Sequence, residues 1–167
     1  MKKNIGLILL LLCISCDDGD LQIKTIDFDS IETPDSCNAL SATTSNLLFK
    51  INEEEALILA LPAGLLKNEI TTDTIESNVP GASSLIYRIF TEDVTKNYFC
   101  DEVPPITPSV SQEIVAEAGT VLISTVATDS VTFEHSIELS GISFITEDGS
   151  RITDLRINKY GKVTTKL

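Results

Sequence analysis

The 167-residue chain has no tryptophan, one histidine and one methionine, and only 5% of it is aromatic. With no tryptophan and three tyrosines, it lacks the usual stacking surface of a sugar-binding platform. The single histidine, His135, leaves little room for catalysis built on imidazoles. Positive charge is also scarce, with 12 basic residues against 25 acidic ones and a net charge of −13. That balance excludes an ordinary phosphate-backbone binder, and no nucleic-acid partner is expected. The chain has no Gly-rich phosphate cradle, no G-x-S-x-G elbow and no calcium loop of the D-x-[DN]-x-[DN]-G kind. What it does have is 43% hydrophobic and 22% charged residues, too apolar for a disordered acidic tail. The length suits one domain behind a targeting segment.

The targeting segment is read from the first residues. Lys2 and Lys3 precede the apolar run from Ile5 to Ile14. At about ten residues, the run is half of what a membrane-spanning helix needs. A charged start followed by a short apolar stretch describes a secretory signal. The end of that stretch, Leu12-Cys13-Ile14-Ser15-Cys16, resembles the lipobox of bacterial lipoproteins, with small Ser15 just before the cysteine. It departs from the family pattern at Cys13, where leucine is usual. Cys13 is itself a poor acceptor, because bulky Leu12 precedes it. The resemblance implies cleavage after residue 15 and lipidation of Cys16, so that acyl chains anchor the protein to a membrane. Asp17-Asp18-Gly19-Asp20 then resembles the acidic signal that carries some lipoproteins to the cell surface. An acidic run is equally a solvated tether, and in other lineages an aspartate after the cysteine retains lipoproteins at the inner membrane. The expected location is the outer membrane, facing outward.

Two cysteines then remain, Cys37 and Cys100, in a compartment that permits disulfides. A bridge between them is the economical reading. It would close a loop of some sixty residues, which the chain-entropy picture values at roughly 4 kcal/mol. Two buried thiols or a redox pair are the alternatives, although the only C-x-x-C spacing, Cys13 to Cys16, belongs to the signal. Two cysteines and one distant histidine lack zinc spacing, so no metal and no cofactor is expected.

The body, residues 21–167, is rich in Thr, Ile and Val and in short apolar alternations, which predicts an antiparallel β-sandwich, immunoglobulin-like or related. Leu21, Ile23, Ile26 and Phe28 predict a first strand with a bulge, ended by Thr33-Pro34-Asp35-Ser36. Leu47, Phe49 and Ile51 form one face of a strand that pairs with Leu57, Leu59 and Leu61 across an acidic turn. A helix from Glu53 to Leu66 is the competing reading, but Pro62 would cost it about 3 kcal/mol. Residues 63–83 read as loop with at most a short helical turn. A strand follows over 85–90, and Tyr98-Phe99-Cys100 begins another element. Pro104 to Pro108 predicts an extended crossing between sheets. Residues 120–127 form a strand. Val131, Phe133, His135, Ile137 and Leu139 then share the core face of the next one, with Thr132, Glu134, Ser136, Glu138 and Ser140 in solvent. A hairpin turns at Glu147-Asp148-Gly149-Ser150, and Tyr160-Gly161 turns again before a terminal strand.

The body also looks like small surface lipoproteins built on one β-domain. Cys16-Asp17-Asp18-Gly19-Asp20, Leu48-Phe49-Lys50-Ile51-Asn52 and Tyr98-Phe99-Cys100 carry that resemblance, which implies location and architecture but no activity. The expected function is therefore a non-enzymatic, lipid-anchored envelope protein that meets a protein or glycan partner of unknown identity. Two alternatives stand beside it. A small hydrolase would use a carboxylate pair or His135. A calcium- or glycan-binding adhesion module would draw on Asp27 and Asp29, Glu53 to Glu55, Asp101 and Glu102, or Glu147 and Asp148.

Overall fold

The computed structural model describes residues 25–167. The signal, Cys16, the acidic tether and the Leu21/Ile23 end of the expected first strand lie outside the described residues. In chain order the elements are β1 (Ile26–Asp27), β2 (Asn46–Asn52), β3 (Glu55–Leu61), β4 (Ile75–Asn78), β5 (Ser84–Phe90), α1 (Lys96–Cys100), β6 (Val110–Ala127), β7 (Thr132–Ile145), β8 (Arg151–Ile152), β9 (Leu155–Arg156) and β10 (Lys159–Lys166). The domain is all-β and sandwich-like, as the alternations predict. Its connectivity is a meander, β10-β7-β6-β5-β3-β2, and not the Greek key of immunoglobulin domains.

One strand makes the sandwich. The first residues of β6, Val110 to Val115, pair with β5, whereas Ala116 to Ala127 pair with β7. The last part also carries β4 on its other side. β6 thus leaves one half-sheet (β2, β3, β5) and enters the other (β4, β7, β10), so the two halves fold face to face. Two register shifts, between Ala116 and Ala118 and between Ala118 and Thr120, mark the bend, as bulges do where a strand turns a corner. Gly119 sits in the bend at φ 139°. A Cβ there would collide with Ile142 Cδ1 and lie 3.0 Å from its Cα. Only glycine lets β6 and β7 approach so closely at that backbone angle.

Between the halves lies the main core, in which Leu57, Leu59 and Tyr87 of one half meet Val121, Ile123, Ile137, Leu139 and Tyr160 of the other. Phe28 and Phe144 flank Tyr87, with ring centroids 6.4 and 6.0 Å away. A second, smaller cluster covers the outer face of the first half: Phe49, Ala56, Ile58, Phe90 and Val94 under Tyr98 and Phe99 of α1. Phe99 stacks on Phe49 at 4.3 Å. The Cys37–Cys100 disulfide, spanning 63 positions, ties the end of α1 to the segment before β2.

Several expectations change. Leu47, Phe49 and Ile51 do not form the core face of β2: Leu48 and Lys50 do, while Leu47 is 48% exposed. Phe49 is buried on the opposite face, because α1 covers it. Tyr98-Phe99-Cys100 forms a helical turn, since those aromatics cap the second cluster. β4 appears within the stretch expected to be loop. The Pro104–Pro108 segment joins α1 to β6 without crossing between sheets, since β6 itself makes that crossing. Tyr160 and Gly161 lie within β10, at a bulge. The β2–β3 hairpin, the face of β7 from Phe133 to Leu139 and the turn at 147–150 stand where the sequence puts them, but Val131, expected on that same face, precedes β7 in the turn and is exposed.

Replacing Gly119 with Val should destabilise the fold by at least about 2 kcal/mol in urea unfolding. Gly141→Ala, at φ 64° with open space around it, should cost only about 1 kcal/mol. Equal losses would show that the close approach to Ile142 does not matter.

Candidate functional site

The two unusual side chains of the interior are Lys50 and His135, and both face the core. Lys50 is 1% exposed. It projects inward because β2 alternates, with Leu48 and Lys50 on one face and Phe49 on the other. Its Nζ donates to the carbonyls of Phe28 and Lys159, each at 2.7 Å, and sits 5.5 Å from the centroid of the Tyr160 ring. Two hydrogen bonds and a π face meet the needs of the buried ammonium.

The strands around Lys50 converge on the same end of the sandwich. β1 pairs in parallel with β9, and the Phe28 N–H donates to the Arg156 carbonyl at 2.9 Å. Asp29 Oδ1 accepts the Lys159 N–H at 2.8 Å. Arg156 lies 3.7 Å from Asp27. Tyr160 donates its hydroxyl across the core to the Leu57 carbonyl at 3.1 Å. Burial lowers the Lys50 pKa to about 8, with Asp29 and Asp27 opposing the shift. Burial and a hydrogen bond to Glu55 push the Tyr87 phenol upward. A neutral amine keeps two N–H donors, so Lys50 can hold both carbonyls in either protonation state.

His135 occupies the other polar position. Its Nδ1 lies 2.8 Å from Thr125 Oγ1 and its Nε2 2.8 Å from Thr165 Oγ1. Thr165 donates its own proton to Asn68 Oδ1 at 2.5 Å, and Asn68 Nδ2 donates to the Lys166 carbonyl at 3.2 Å. Because the Thr165 proton is engaged, Nε2 carries the imidazole hydrogen and Nδ1 accepts from Thr125. The direction of every bond in the chain follows. Burial lowers the His135 pKa. The imidazole is fully buried, and among the described residues it bonds threonine hydroxyls and no carboxylate.

The carboxylates considered as metal or catalytic pairs lie apart. Asp27 and Asp29 flank the Lys50 end, Glu53 to Glu55 the β2–β3 turn, Asp101 and Glu102 the end of α1, and Glu147 and Asp148 the turn after β7. Among the described residues, no three His, Cys, Asp or Glu side chains gather as a metal would need. Cys37 and Cys100 are joined to each other, as the economical reading expects and not as two separate buried thiols. Sequence reading overlooked Lys50 as an interior residue. Its only signal was a lysine between apolar neighbours in a strand.

No family model, curated protein or solved structure matches this chain. Its chemistry therefore has to be read from its own residues. Lys50 and His135 bond backbone carbonyls and hydroxyls of neighbouring strands within the interior.

Two measurements check this reading of the interior. The unfolded state holds the Lys50 proton up to the ordinary value of 10.5, whereas the folded state releases it near 8. Lys50 therefore contributes stability that is fully present above 10.5 and lost as pH falls through 8. Relative to Lys50→Met, wild type should gain up to about 3 kcal/mol between those pH values; a constant difference would contradict the burial. For His135, stability is full above 6.5 and declines as pH falls below it, because the unfolded chain takes up the proton first. NMR of the folded protein should find no imidazole titration near 6.5.

Proposed function

We propose that this protein is a lipid-anchored envelope protein without catalytic activity, held at the outer membrane by acyl chains on Cys16 and acting at the cell surface as an interaction module. The observation that carries this reading is the segment from Lys2 to Cys16: two lysines, a short apolar run, and serine before cysteine. The Cys37–Cys100 bridge supports export, because such bonds persist in oxidising compartments. Engagement of Lys50 and His135 in bonds that hold strands together favours binding over catalysis. Asp17, Asp18 and Asp20 supply a solvated spacer between the anchor and the body. The partner, a protein or a glycan, meets the body at an exposed sheet edge or at loops.

Metabolic labelling with a fatty acid tests the anchor. Wild type should take up label and partition into membranes. Cys16→Ala should take up none and keep its signal uncut, and label on that variant would defeat the assignment. Protease added to intact cells should remove the wild-type body; full protection would place it on the inner face.

A further inference from the structure

Among the described residues, the outer edges of β2, β10 and β4 are each guarded. β2 is bridged along its outer side by Asp35, which exchanges two backbone hydrogen bonds with Phe49 at 2.8 and 2.9 Å. β10 carries Lys159, Lys162 and Lys166 and a bulge, and its Gly161 packs against the Glu32 carbonyl. β4 is only four residues long. Lysines, bulges, short strands and covering loops are the usual devices that keep sheet edges from pairing with foreign strands.

The first part of β6 has none of these on one side. Residues 110–115 pair with β5 along one edge. β4 and β5 run one after the other along that same side of β6, both antiparallel to it. β7 occupies the opposite side, but its pairing stops at Ala116↔Phe144. Beyond Ile145 the chain turns away: Thr146 N–H donates to the Ser150 carbonyl and Gly149 N–H to the Thr146 carbonyl, each at 2.9 Å. Among the described residues, no strand lies against the vacated side of 110–115. The sequence there, Val-Ser-Gln-Glu-Ile-Val, has neither lysine nor proline. Val110 and Val115 are 38% and 48% exposed. A depression of about 700 Å³ extends from this stretch to Thr146 and Glu147.

We propose that this open edge is a docking site for an extended segment of a partner protein, added as a further strand, with basic side chains alternating with aliphatic ones. The proposal deepens the interaction-module reading and rests on it for the existence of a partner. A row of unpaired backbone groups selects an extended peptide, because only a strand can satisfy them in register. The flanking charge selects the side chains: Glu117 and Glu147 line the depression and, among the described residues, form no ion pair, while Glu113 is already paired with Arg88. A second copy of the chain fits poorly. Self-pairing has residues 110–115 to use, since β7 covers that side of β6 from Ala116 onward; centred on Glu113, it sets the Glu113 of one copy directly opposite that of the other, and like charges directly opposite are destabilising.

The test uses the full chain and short synthetic peptides of alternating lysine and valine, with a glutamate–valine peptide as the contrast. Hydrogen exchange should slow at Ser111 to Val115 with the lysine peptide, which should bind at least about tenfold more tightly than the acidic one and more weakly in high salt. Glu117→Lys combined with Glu147→Lys should lower the affinity about tenfold while leaving the melting temperature unchanged. Val115→Lys, a gatekeeper on the edge itself, should also weaken binding. The proposal is overturned by no protection, by equal protection with the acidic peptide, by protection at β2 or β10 instead, or by concentration-dependent protection of the same amides without peptide. None of these outcomes depends on Cys16, so failure here leaves the anchor reading to its own labelling experiment.

Discussion

The end of the sandwich where the outlying segments meet depends on one amine. Lys50 reaches from β2 into the core and holds the Phe28 carbonyl, next to β1, together with the Lys159 carbonyl, at the start of β10. These segments belong to different parts of the fold, and among the described residues the one ladder that joins β1 to the rest is a two-residue parallel pairing with β9. A pairing so short does not hold by itself. Taking a lysine out of water is costly, and its lowered pKa is the sign of that cost. An apolar replacement would avoid the cost but take this donor from both carbonyls, leaving Phe28 the Ile31 N–H at 3.2 Å, and a buried acceptor left short of a partner costs about 1–3 kcal/mol. The lysine is therefore better understood as a clamp that sets where three segments meet than as a source of net stability.

A second constraint follows from the single strand shared by both halves. Since β6 must serve two half-sheets, it has to bend, and the bend requires Gly119 against Ile142. The bend also determines which neighbours each end of β6 can have. β7 follows only the later part, so the earlier part is left with one partner strand. The open edge is thus a geometric consequence of closing a meander into a sandwich with one continuous strand.

The sequence revealed the class of fold and much of its pairing because those depend on local alternation. β7 is the clearest case: Phe133, His135, Ile137 and Leu139 face inward, as period two requires, and the fully buried histidine is where that period puts it. Prediction failed where a strand is buried on both faces. In β2, Phe49 is buried under α1 while Leu48 and Lys50 fill the core, so alternation of apolar residues no longer marks the inner face. Lys50 escaped notice for a further reason, since its partners are carbonyls 22 and 109 positions away and backbone acceptors leave no trace in side-chain pattern. Of the two partners of His135, Thr125 lies 10 positions away on the neighbouring strand and Thr165 lies 30 positions away on the terminal one, while Asn68, which accepts from Thr165, comes from a loop without periodicity. The Cys37–Cys100 bridge was legible because, of the four cysteines, Cys13 and Cys16 were set aside with the expected signal, which leaves a single pairing.

The acidity that first spoke against nucleic acid takes on a different meaning beside the strand edges. A surface of one sign opposes association between copies, and it does so most where like charges would meet across a pairing. Lysines guard β10 from strand addition. The glutamates beside residues 110–115 do not work in the same way, because an acidic rim repels acidic strands, including this chain's own, and attracts basic ones. An aliphatic edge flanked by acid is thus closed to self-pairing and open to a partner of opposite charge. If acyl chains on Cys16 tether the chain as proposed, copies are held beside one another, and an edge of this kind would ignore its neighbours and still accept a foreign strand.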